Sequence, residues 1–399
     1  MKKLFVPFFM LLGISITISS CSDSDDAQYV PITPNASYPE VEAAFGSKLD
    51  LNNLSNYANQ YIPPYIRKRN GNANPVTDKG ATLGRVLFYD KNLSSNNTIS
   101  CSSCHQQANA FSDTNIASTG VNGMTGRHSM RLINARFAVE SKFFWDERAG
   151  SLEIQTTMPI KDHGEMGFSG ANGDLSFNDL ITKLQGIGYY KELFKFVYGT
   201  EVITENRIQL ALAQFVRSIQ SFDSKYDSGR IFVPNDGQPF PNFTAQENNG
   251  KNLFLAPPVF DATGNRTGGG LGCAGCHAAP EFDIDPNSRN NGIIGTIAGS
   301  GIDITVTRAP SLRDLVKRDG TLNGGFMHTA NINSLQAAIG HYGTINLAPG
   351  NTNLDPRLRP NGFGQQLHLT ATEVNATIAF LRTLSGTNVY TDSKWSSPF

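Results

Sequence analysis

The chain has 399 residues, of which 39% are hydrophobic and 17% charged, and a formal net charge of -1. That is the make-up of a globular protein with room for two or three domains. So small a net charge provides no global field to attract nucleic acid or an anionic membrane surface.

Residues 1–20 read as an export signal: Lys2 and Lys3 precede a short apolar core from Leu4 to Ile18. The run is broken by Pro7 and Gly13 and is too short for a permanent membrane span. It ends in Ile18-Ser19-Ser20-Cys21, which resembles a bacterial lipoprotein cleavage box. On that reading Cys21 becomes a lipidated N-terminus, and its acyl chains hold the protein to a membrane facing the periplasm or at the cell surface. The acidic run Ser22 to Asp26 is a solvated tether, and it resembles signals that direct some lipoproteins to the cell surface. Residues 21–40, with Pro31, Pro34 and Pro39, continue as linker.

Beyond the linker the chain says similar things twice. TDKGATLGRVLFYD (77–90) precedes ISCSSCH (99–105) and AFSD (110–113). TAQENNGKNLF (244–254) precedes LGCAGCH (271–277) and EFDID (281–285). A threonine-led helix ending in Leu-Phe before a cysteine pair suggests a duplicated helical unit. Residues 205–220 put Ile208, Leu212, Phe215, Val216 and Ile219 on one helical face. Residues 371–384 open with Thr370 and Glu373 at capping-box spacing and turn Val374, Ile378, Leu381 and Leu384 inward. The glycine-rich, β-branched stretch 286–306 predicts a short hairpin. The expected architecture is mostly α, with two cytochrome c-like haem domains related by duplication, long loops and little β. Residues 41–203 form the first domain and 204–399 the second.

Cys101-Ser-Ser-Cys104-His105 and Cys273-Ala-Gly-Cys276-His277 carry the strongest chemical signal. Two thiols one helical turn apart reach the two vinyl groups of a haem, and the next imidazole turns under the iron. Zinc would want further ligands at matching spacing, and a redox cysteine pair has no need of the histidine. Every cysteine except Cys21 is used, so two covalently bound c-type haems are expected.

With these motifs in place, the chain resembles the bacterial di-haem cytochrome c peroxidase family, which includes the MauG-like enzymes. The resemblance runs over most of residues 75–385, through GRHSMRLINARF (126–137), FFWDERAGSLEIQ (143–155), PIKDHGEMG (159–167), TRAPSLRDL (307–315) and FMHTANINSLQAAIGHY (326–342). It implies a peroxidatic haem on His105 and an electron-transfer haem on His277. By motif position it makes Glu165 the distal acid/base and Gln155 its neighbour. Phe144 then lines the distal pocket, and Trp145 sits on the path between the haems. The resemblance also implies hydrogen peroxide as substrate, a small cytochrome or cupredoxin as electron donor, one calcium ion between the domains, and a homodimer. A single carboxyl over the metal can take a proton from one peroxide oxygen and return it to the other, provided burial raises its pKa towards the working pH.

The sequence departs from the family pattern in places. The stretch Ser118–Gly126 has no histidine where many members carry one that caps the peroxidatic iron, which predicts an open or water-bound site. Met124 and His128 are the stand-ins to test. Tyr342 occupies the position of the usual methionine ligand of the second haem, with His341 beside it as a second ligand candidate. Met327 and His328 are read as pocket structure. Calcium would use carbonyls near Arg308 and Pro310, but His128 replaces the usual asparagine and is a poor ligand for a hard cation. His163 and His368 are read as exposed. Two other functions compete with the peroxidase: a MauG-like oxidase acting on a partner protein, favoured by Tyr342, and a non-catalytic electron-transfer cytochrome.

Overall fold

The computed structural model describes residues 36–284 and 286–399. The leader, Cys21 and most of the linker lie outside the described residues. Among those described, no helix is long and apolar enough to cross a membrane.

The protein is mostly helical, and its plan is one helix pair used twice. In the first half, Asp78–Tyr89 is capped by Thr77, whose side chain accepts the Gly80 N–H, and packs on Glu205–Ser218. In the second half, Ala245–Leu255 is capped by Thr244, whose side chain accepts the Glu247 N–H, and packs on Ala371–Arg382. Each such cap is worth about 1 kcal/mol. At the first crossing a Cβ on Gly84 would overlap the Ala211 carbonyl and press on Phe215, and at the second a Cβ on Gly250 would meet the Ala376 carbonyl and Phe380. One turn further on, the Phe88 and Phe215 rings meet at 5.1 Å, and those of Phe254 and Phe380 at 5.2 Å, tilted by 55° and 58°. Both crossings therefore use glycine to let backbones touch and a phenylalanine pair to close the gap. Each buried ring contributes roughly 1.5–3 kcal/mol.

The two cores are separate in composition. The first gathers Leu83, Leu87, Phe88, Leu212 and Phe215, among others, and the second Phe240, Phe254, Phe282, Phe380 and Leu384. The expected cut at residue 203 divides the first of these, because helix 205–218 buries its apolar face there and Ile219 still belongs to it. By packing, helix 205–218 and Ile219 go with the first core, as do Val389 and Trp395 from the far end of the chain. The hairpin expected in 286–306 does not form: that stretch is loop and turn. The two short hairpins lie elsewhere, Pro258–Phe260 with Arg266–Gly269 and His277–Ala278 with Asp283–Ile284. Glycines at 292, 295, 299 and 301 loosen the predicted strand.

The C-terminal segment crosses back to the first half. Trp395 is 2% exposed within the first core, and its indole N–H donates to Ser218 Oγ at 3.3 Å. Tyr89 Oη donates to the Trp395 carbonyl, and Arg85 Nε to that of Ser396, both at 2.6 Å. Trp395→Ala is expected to cost about 3–5 kcal/mol, read as a lower urea midpoint for the haem-loaded protein; an unchanged midpoint would show that the tail is not part of the first core.

Candidate active site

Two cavities open beside the two cysteine motifs. The first, about 560 Å³, is bordered by Cys101, Cys104 and His105 and also by Phe144, Gln155 and Glu165. The second, about 720 Å³, is bordered by Cys273, Cys276, His277 and Tyr342. Both fall within the ~300–1,000 Å³ of cofactor sites.

The residues of each motif suit a covalently attached haem. Cys101–Cys104 is a single helical turn, closed by the His105 N–H on the Cys101 carbonyl at 2.9 Å. His105 Nδ1 lies 3.2 Å from the Phe111 carbonyl. Only an N–H can make that bond, so Nε2 keeps the lone pair a metal needs. Burial pushes His105 down to about 4, and His277 to about 4, so both imidazoles are neutral. The His277 Nδ1 is buried with no hydrogen-bond partner among the described residues. Burial pushes the Cys101 and Cys273 thiols up to about 12 and that of Cys104 up to about 11. A redox cysteine pair needs the opposite, a stabilised thiolate. None of the four cysteines is in a disulfide. Among the described residues no three His, Cys, Asp or Glu side chains converge on a point where a metal ion would sit. Zinc, disulfide and dithiol chemistry all lose their footing here.

Glu165 is half-buried at the edge of the first cavity. Burial pushes its carboxyl up to about 7, with Asp162 acting in the same sense and Arg148 opposing. Its backbone is held from two sides. Asp162 Oδ1 accepts the N–H groups of Gly164 and Glu165 at 2.8 and 2.9 Å. From the 118–126 stretch, Val121 N–H donates to the Glu165 carbonyl at 3.0 Å and Asn122 N–H to that of Gly164 at 3.1 Å. Gly120 makes this approach possible, since a Cβ there would overlap the Gly164 carbonyl and lie 2.8 Å from Glu165 Cα. The loop that lacks the capping histidine is thus a splint for the carboxyl-bearing turn, which sequence reasoning missed. The one available signal was the pair of glycines at 120 and 123.

Gln155 projects from the helix Leu152–Thr157 into the same cavity. Phe144 adopts a left-handed φ of 74°, at a cost of roughly 1–2 kcal/mol, and the Arg148 guanidinium lies 3.7 Å from its ring centre. His163 is exposed and bonded to Asp174 at 2.9 Å, and His368 is exposed and bonded to Asn265.

Trp145 borders both cavities, with residues 128–131 and 308–310 completing the shared wall. Its indole N–H donates to the His128 carbonyl at 2.7 Å, and its own carbonyl accepts the N–H groups of Thr307 and Arg308, each at 2.9 Å. His328 packs edge-on against the indole with ring centres 6.3 Å apart.

Around the second cavity, Tyr342 and Met327 are linked by one amide: Asn291 Nδ2 donates to Tyr342 Oη at 3.2 Å and to Met327 Sδ at 3.0 Å. Burial raises the Tyr342 phenol. His341, the other expected ligand candidate, is placed differently from Tyr342. It does not border the cavity, and its Nε2 lies 2.9 Å from the Asn291 carbonyl. Successive residues of a helix point about 100° apart, so only one of the pair 341 and 342 faces the cavity.

The fold and the two donor sets define a di-haem c-type cytochrome with oxidoreductase chemistry. A family model for di-haem cytochrome c peroxidase matches residues 78–230. The chain is 30% identical over 285 residues to a methylamine utilization protein MauG of Methylorubrum extorquens, covering 68% of this chain and 70% of that one. It is 27% identical over 322 residues to a cytochrome c551 peroxidase of Nitrosomonas europaea, covering 77% and 80%. A crystal structure of a MauG-like protein associated with microbial copper homeostasis superposes with a TM-score of 0.63 at 26% identity, covering 85% of this chain and 99% of that one. The protein belongs to the di-haem cytochrome c peroxidase family, a group of peroxidase-type oxidoreductases with two covalently bound c-type haems.

Both stand-ins border the first cavity, and His128 Nε2 is buried with no hydrogen-bond partner among the described residues. Met124 is 60% exposed with its sulfur 3.6 Å from Thr119 Oγ1, and His128 Nδ1 is tied to the Asn115 carbonyl at 3.0 Å. With no histidine in 118–126, the oxidised protein as isolated is expected to show a high-spin ferric component in its electron paramagnetic resonance spectrum; two purely low-spin signals would refute this and point to His128 as the cap.

Proposed function

We propose that the protein reduces hydrogen peroxide to two molecules of water at the His105 side, with electrons delivered through the His277 side. The observation that carries this reading is the Glu165 carboxyl, raised by burial and bordering the same cavity as His105. When bound there, the haem supplies a ferric centre that accepts peroxide and the redox equivalents that break its O–O bond.

The chain's residues do the rest. Glu165 as carboxylate takes the proton from the peroxide oxygen nearest the metal and gives it to the far oxygen, which departs as water. Two electrons and two further protons complete the balance. The Gln155 amide orients peroxide without competing for its proton, and Phe144 with Arg148 stacked on it screens the cavity from bulk water. Trp145 is the aromatic step between the two sites. Its N–H is bonded to a backbone carbonyl, a very weak base, so the indole passes charge without surrendering a proton.

Electrons come from a small cytochrome or cupredoxin, and Tyr342, bordering the second cavity, would help to hold the second haem. A tyrosinate there stabilises the ferric state. The acyl chains on Cys21 hold the enzyme to a membrane facing the periplasm or at the cell surface. Calcium is disfavoured. Its expected site carries the imidazole of His128 and the cationic Arg131 and Arg308, which oppose a divalent cation. Tyr342 also favours a second reading, MauG-like oxidation of a partner protein, in which peroxide turnover with a small donor would be slow.

Two measurements test the proposal. Because Glu165 must be ionised to accept the proton, peroxide turnover is expected to fall as pH drops through about 7. Glu165→Gln is expected to lower turnover ~10²–10⁴-fold and erase that acid limb; an unaltered rate would exclude the proton-transfer role. Gly120→Ala, which must push the Glu165 turn aside, is expected to cost about 10²-fold with both haems retained. Gly126→Ala, where a Cβ meets open space, is expected to be neutral.

A further inference from the structure

Arg131 stands at the meeting of the two cavities and borders both. The residue is half-buried, and its Nε is shut off from solvent with no hydrogen-bond partner among the described residues. The one hydrogen bond it makes there is a long one, from Nη2 to the Ser311 carbonyl at 3.4 Å. No carboxylate lies within ion-pair distance of it among those residues, in contrast to Arg313 and Arg217, while the buried Arg85 and Arg308 are each held by a backbone carbonyl. Arg313 pairs with Asp227 at 2.8 Å, and Arg217 pairs with Glu153. Asp314 acts on Arg131 electrostatically from further away, and its Oδ1 is already taken by the Gly386 N–H and the Tyr390 hydroxyl.

A buried, permanently charged group with no counter-ion is not a stable arrangement; it is tolerated only where an anion belongs. The anions available at this spot are on the cofactors. A haem held by thioethers at its vinyl edge still carries two propionate carboxylates on the opposite edge. The planar guanidinium, with five N–H donors in a fork, is the side chain best shaped to bind carboxylates, including two at once. We propose that Arg131 is a cofactor-binding residue that engages propionate carboxylates from both haems, serving as their common counter-ion. Arg308 in the same wall is already committed: its guanidinium bonds the Lys142 carbonyl and lies 4.8 Å from the Phe143 ring centre. A shared cation makes the sites electrostatically interdependent. Its positive charge favours the extra electron of the ferrous state on both sides and ties the potential of each haem to the charge on the other.

The inference depends on the two covalent haems and not on the role of Glu165, so it is tested without peroxide. Midpoint potentials of both haems are measured by spectroelectrochemistry on the full holoprotein, with haem content fixed at two per chain by the pyridine haemochrome absorbance. Arg131→Met is expected to lower both potentials; a fall in one alone, or in neither, would overturn the proposal. Should that variant fail to load two haems, Arg131→Lys provides the test, because a compact ammonium cannot reach two carboxylates as the fork does. At least one potential is expected to move in Arg131→Lys, and two wild-type potentials would overturn the shared-counter-ion assignment.

Discussion

The arrangement rests on how one tryptophan is tied into the wall between two cavities. Trp145 donates to the His128 carbonyl and accepts from two consecutive backbone N–H groups, those of Thr307 and Arg308. The latter two bonds join a loop of the first half to one of the second, and the first holds the indole within its own half. A further bond, from the His128 N–H to the His328 carbonyl at 2.7 Å, reinforces the joint. Because the residue is held at both its indole N–H and its backbone carbonyl, the position of the ring in the wall is set by backbone geometry. Electron transfer falls off steeply with distance, so a rigid wall is worth more here than a tightly packed one.

The wall can be thin because support comes from behind. Each cavity is backed by a helix pair whose backbones touch at a glycine, Gly84 in one half and Gly250 in the other. The threonine caps, the Leu-Phe ends and the cysteine motifs were legible in the sequence because each is a local device with its own spacing. The partner helices were legible as amphipathic segments. Their pairing was not, since a 3.6-residue pattern says which face is buried but not against what. That is why the sequence alone does not say that helix 205–218 packs in the first core.

The site was legible where chemistry dictates residue order, and less so where backbone does. Two thiols and an imidazole must follow one another to grip a porphyrin, so the attachment residues could be read directly. Trp145, Glu165, Gln155 and Phe144 were nameable through the family resemblance, and the fold brings all four to the first cavity. What could not be read was the splint that 118–126 forms on the Glu165 turn, because backbone-to-backbone bonds leave no side-chain signature beyond glycine. Neither could the choice between His341 and Tyr342, which a helix decides by rotation alone. Arg131 gave no signal either, since an arginine in a polar sequence context reads as surface until its neighbours are known.

The return of the C-terminal tail into the first core has a bearing on how the molecule is made. Synthesis runs from the amino end, so Cys101, Cys104, Cys273 and Cys276 all emerge from the ribosome well before Trp395. Until that indole arrives beneath Ser218, the first half has a gap in its interior and cannot close fully around its cavity. Enzymes that attach porphyrin after export need slack polypeptide, and a packing event that waits for residue 395 keeps both attachment sequences accessible until that stretch has followed them across the membrane.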